Sequence, residues 1–106
     1  MSFAKLAKVI SSEERCEVLD ILSRKERLSF TEIMRELGME PREEAGSFGY
    51  HLNILQDARL IEQDPETKDY CLSSLGTEVS KLILSLKDLS AHKPKAMYVR
   101  TSDLNI

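Results

Sequence analysis

The sequence predicts a mainly α-helical domain that carries one small β-hairpin. Three observations lead to this expectation. Apolar residues recur at spacings of three and four along most of the chain, the period of an amphipathic helix. Ser11, Ser29, Ser47 and Thr77 stand just before such stripes, where helix N-caps belong. One stretch, Leu60 to Leu72, breaks the helical period into two short apolar runs around a polar tip with Pro65. With 106 residues, the chain is one domain's worth. Its balance of 42% hydrophobic and 31% charged residues is that of a folded soluble domain rather than a disordered one.

In order, Phe3, Leu6 and Ile10 make one apolar face of a helix over residues 3–10. Ser11 and Glu14 form a capping-box pattern, and Cys16, Val18, Leu19, Ile21 and Leu22 follow at helical spacing, which predicts a helix over 12–25. Ser29 and Glu32 are a second capping box. Phe30, Ile33, Met34 and Leu37 are its stripe, and Gly38 supplies the positive φ of a C-terminal stop, so a short helix is expected over 30–37. Residues 39–45 read as a connector, with Pro41 barring continuation of that helix.

Ser47 then caps an expected helix over 47–58, with Phe48, Leu52 and Leu55 pointing inward. The hairpin follows near 60–73, with a polar tip from Asp64 to Asp69. Thr77 caps a last helix over 77–91, whose stripe is Val79, Leu82, Ile83, Leu86 and Leu89. The domain is thus expected to cover 1–92, and 93–106 reads as a basic tail.

Charge and cysteine usage exclude several functions. The net charge is −3, so the chain is not a bulk electrostatic binder of nucleic acid. The acidity is concentrated, since residues 40–72 hold eight acidic and three basic side chains. Cys16 and Cys71 belong to no metal-ligand spacing, so neither a zinc site nor a disulfide framework is expected, and a reducing cytoplasm fits. No apolar run is long enough for a membrane span, and the first ten residues lack the pattern of a signal peptide. No nucleophile–base pair, phosphate loop or paired-carboxylate motif is visible. The chain reads as a non-enzyme without a cofactor.

Helix, short helix, helix, hairpin, helix is the order of a winged helix-turn-helix, here with extra N- and C-terminal helices. Three helices share a small core, the hairpin closes its open side, and the third helix offers a polar face to a DNA major groove. The stretch from Leu28 to Gly38, then Ser47-Phe48-Gly49-Tyr50-His51-Leu52-Asn53-Ile54-Leu55 and Ala58-Arg59-Leu60-Ile61, resembles an ArsR-type winged-helix transcriptional regulator, particularly the short archaeal members. The resemblance covers about residues 10–90. It implies a homodimer that binds double-stranded DNA, with the helix from Ser47 to Ala58 as recognition helix.

On that resemblance, Ser47, Gly49, Tyr50, His51 and Asn53 fall at base and phosphate contacts, with Lys68 at the wing tip. Phe3, Leu6 and Ile10 would pair with Val79, Leu82, Ile83, Leu86 and Leu89 of the partner copy. The chain departs from the family in two respects. It lacks the Cys-x-Cys of metal-sensing members, and its wing is acidic, with Glu62, Asp64, Glu66 and Asp69 around Lys68. For His51 a scaffold role competes evenly with a phosphate contact. For Lys68 a solvated lysine is the simpler reading. Cys16 and Cys71 read as small buried hydrophobes. A winged helix also serves as a protein-interaction module, and the acidic middle of the chain favours that alternative.

Overall fold

In the computed structural model, which describes residues 1–91, the expected order of elements is present. The helices are α1 (Phe3–Val9), α2 (Glu13–Lys25), α3 (Phe30–Glu36), α4 (Pro41–Asp57) and α5 (Ser74–Ala91). Strands β1 (Ile61–Gln63) and β2 (Tyr70–Leu72) lie between α4 and α5. They pair antiparallel in the register Ile61–Leu72, Glu62–Cys71, Gln63–Tyr70. A single antiparallel bridge, Leu28 to Tyr70, ties the α2–α3 connection to the hairpin. The architecture is a small winged-helix-like fold, mainly α with one hairpin. The expected tail at 93–106, and His92 before it, lie outside the described residues.

The core is built from the predicted stripes. Val18, Leu19, Ile21 and Leu22 of α2 meet Ile33 and Met34 of α3 and Phe48, Leu52 and Leu55 of α4, all buried. Phe48 is fully enclosed, and Phe30 meets its ring edge-on with centroids 5.0 Å apart. Leu60, Ile61 and Tyr70 bring the hairpin onto this core, and Val79 and Ile83 bring α5.

Several caps are where the sequence puts them. The Ser29 hydroxyl accepts from the Glu32 N–H at 3.1 Å, and the Glu32 carboxylate accepts from the Ser29 N–H at 2.8 Å. The Ser29 N–H, and after it the Ser29 hydroxyl, hold the Glu32 carboxyl below its ordinary pKa. Gly38 has φ +71°, the positive value expected there.

Three helix starts differ from expectation. α2 is capped by Ser12, which accepts from the Arg15 N–H, while Ser11 closes α1 by donating to the Lys8 carbonyl. α5 begins at Ser74, and the Ser73 hydroxyl accepts from the Gly76 N–H at 2.9 Å, so Thr77 lies inside the helix. α4 begins at Pro41 rather than Ser47, six residues early. Proline stops α3 but is favoured at the first position of the next helix, where its missing N–H costs nothing. Glu40 caps that end by accepting from the Arg42 N–H, and Glu44 accepts from the Glu40 N–H at 2.8 Å. Ser47 therefore caps nothing; its hydroxyl donates to the Glu44 carbonyl one turn back.

Candidate nucleic-acid interface

α4 is seventeen residues long, and burial of Phe48, Leu52 and Leu55 sets its rotation. At about 100° per residue, Glu43, Gly46, Tyr50, Asn53 and Asp57 then line the opposite side, and all are exposed. Tyr50 is 62% exposed, a large aromatic ring standing in solvent. Of the predicted contact residues, Ser47, Tyr50 and Asn53 share this outward side. Gly49 and His51 flank it and point elsewhere. A side chain on Gly49 would meet Phe30 of α3 at 3.9 Å.

His51 turns toward α2, where its Nδ1 lies 3.0 Å from Nη1 of Arg15. A guanidinium only donates, so His51 accepts at Nδ1 and carries its proton on Nε2. Arg15 also donates to the Val9 and Lys8 carbonyls at the end of α1. One side chain thus clasps α1, α2 and α4 together. Its cation sits at the C-terminus of α1, where the helix dipole favours positive charge. The imidazole so held lies beside Tyr50, with ring centroids 5.8 Å apart.

This packing forms a groove of about 510 Å³ between α1 and α4. Lys5, Lys8 and Arg15 border it, with Tyr50, Ile54, Asp57 and Ala58 of the α4 side, Val9 of α1 and Met1 before it. The sequence by itself gives none of these three cations a place beside α4. Nothing local says which face of α4 the N-terminal segment will cover.

The wing is closed by its own acid. The Asp64 carboxylate accepts from the Glu66 and Thr67 N–H groups at 2.7 and 3.0 Å. Those backbone bonds, with Thr67's the larger influence, hold its carboxyl below the usual range, and Arg27 at 3.4 Å helps. Lys68, at the exposed tip with φ +66°, forms no ion pair among the described residues. Both cysteines are free thiols. Cys16 donates to the Ile10 carbonyl, and burial pushes its thiol pKa up, away from reactivity. Among the described residues no group of three or more His, Cys, Asp or Glu side chains is placed to hold a metal. No described helix is long and apolar enough to cross a membrane.

A family model described as a domain of unknown function, DUF7347, matches residues 4–83. The chain belongs to the DUF7347 family. No curated protein matches it. The DUF7347 match takes in α1 from Ala4 onward, α4 and the wing, and it closes at Ile83, the last buried residue of α5.

α5 also carries a leucine stripe that is exposed among the described residues and runs past the end of the match. The eight residues expected at a dimer seam occupy different environments. Val79 and Ile83 are 3% and 8% exposed and belong to the chain's own core. Leu6 and Ile10 are half-buried against that core. Phe3, Leu82, Leu86 and Leu89 remain 85%, 60%, 56% and 69% exposed. From Leu75 through Val79, Leu82, Leu86 and Leu89 the spacing alternates four and three, the heptad of a coiled-coil seam. Of these five only Val79 packs inward; Leu75, Leu82, Leu86 and Leu89 stay exposed.

Proposed function

We propose that this DUF7347 domain is a DNA-binding transcriptional regulator of the ArsR-like kind, acting as a homodimer with α4 in the major groove. One observation carries the reading. Lys5, Lys8 and Arg15 stand along the flank of α4 beside Tyr50, and give a chain of net charge −3 a local basic border at its polar helix face. Cations at the flank engage phosphates, and side chains on the helix face read base edges. Asn53 has the amide that pairs with adenine, and Tyr50 can donate to a phosphate or stack. The exposed leucines of α5 supply the second copy's contact, which sets half-site spacing.

Replacing Tyr50 or Asn53 by Ala should weaken specific duplex binding by about 1–3 kcal/mol each and leave the fold intact, because both side chains lie outside the core. Fluorescence anisotropy with an operator selected from random duplex measures this, with helical content followed alongside. Unchanged affinity in both variants removes α4 from the interface. The salt slope should be shallow, since few cations border the face and each neutralised phosphate contributes about −0.9.

A second reading, a protein-interaction module, has its own observation. The first turn of α4, which a phosphate would approach, is closed by Glu40, Glu43 and Glu44. The wing is acidic as well. Changing Glu66 and Asp69 together to Lys should tighten duplex binding and steepen its salt dependence if the wing runs along the backbone. If that pair changes neither, and no duplex competes above non-specific background, the protein-interaction reading replaces the DNA reading.

A further inference from the structure

We propose that the groove between α1 and α4 is a binding site for a small amphipathic organic anion, an aromatic carboxylate in chemical class. Its volume of about 510 Å³ suits a small organic molecule. Its apolar lining is Met1, Val9, Ile54, Ala58 and the ring of Tyr50, which calls for an apolar body. Its charge is unbalanced. Lys5 and Lys8 form no ion pair among the described residues. The Arg15 guanidinium donates to the Val9 and Lys8 carbonyls and to His51, and it forms no salt bridge among the described residues. Asp57 is the one acid in the lining. Three cations against one anion at an apolar recess are complementary to a molecule with a negative head and a flat hydrocarbon body. Bare duplex phosphates would leave the apolar walls unfilled.

The two faces of α1 keep this site separate from the dimer contact. Lys5, Lys8 and Val9 line the groove, while Phe3 and Ile10 lie on the opposite side of the helix. Tyr50 belongs both to the groove and to the α4 face, so an occupied groove would compete with duplex. That consequence rests on the DNA reading; the site does not.

Naphthoate is the probe, titrated into the free, isotope-labelled chain and followed by amide spectra. Shifts should concentrate at Tyr50, Ile54 and Ala58. The uncharged methyl ester should bind about tenfold or more weakly, as loss of a charge-assisted contact requires. Lys5→Gln with Lys8→Gln should weaken the acid by a similar factor and leave the ester unchanged. Equal binding of acid and ester, shifts gathered at Leu82, Leu86 and Leu89, or no shift at millimolar naphthoate would each overturn the proposal. Failure of the DNA reading shows separately, as naphthoate binding by a chain that no duplex engages.

Discussion

Leu82→Asp combined with Leu86→Asp should convert the protein from dimer to monomer without unfolding it. In the single chain these side chains are 60% and 56% exposed, so an aspartate at either position stays in water. In a dimer joined through α5, four such leucines would leave water, each contributing about 1.5–3 kcal/mol. Only part of that sum survives the entropy of association. The dimer dissociation constant should still rise by at least about a thousandfold, the equivalent of about 4 kcal/mol. Sedimentation at micromolar concentration should show the native chain as a dimer and the variant as a monomer with unchanged helical signal. Val79→Asp should behave differently, because Val79 is 3% exposed, and an unpaired carboxylate there should unfold the domain. A native chain that sediments as a monomer up to millimolar concentration would end the dimer reading.

Gly76→Ala should destabilise the fold by about 3 kcal/mol or more, the upper end of overpacking. A methyl group at this position would stand 1.9 Å from the Leu60 carbonyl oxygen and 2.9 Å from its carbon. Both are backbone atoms, and that carbonyl also accepts from the Ser73 N–H and hydroxyl. Relief of the clash must therefore separate α5 from the start of the wing. Gly46→Ala is the matched control. It lies inside α4 with nothing within 4 Å of the added carbon, so it should gain about 0.5–1 kcal/mol from helix propensity. Chemical denaturation of the two variants should move the midpoint in opposite directions. Movement in the same direction would contradict the close approach of α5 to Leu60.

Much of this architecture was legible in the sequence, because the signals that announce it act over a few residues. The Ser29–Glu32 capping box is closed by groups three positions apart, and Gly38 needs only its own backbone freedom. The inward residues Phe48, Leu52 and Leu55 follow from helical periodicity, and the wing from two apolar runs around a polar tip. Where local reading failed, it chose the wrong one of two local signals. Pro41 both bars one helix from continuing and begins the next, and the cap falls to Glu40 rather than Ser47.

The candidate site was less legible, for a different reason. Periodicity says that Val79, Leu82, Ile83 and Leu86 share one side of a helix, but not which flank of that side the core covers. Packing against α2 and the wing buries Val79 and Ile83 and leaves Leu82 and Leu86 in solvent. Likewise, Lys5, Lys8 and Arg15 look like ordinary surface charges until α1 is laid against α4. Arg15 then reaches His51, thirty-six positions away, and the groove closes around Tyr50. Helix caps and stripes depend on neighbours along the chain, which a sequence displays. Grooves, clasps and exposed seams depend on neighbours across space, which exist only once the helices have packed.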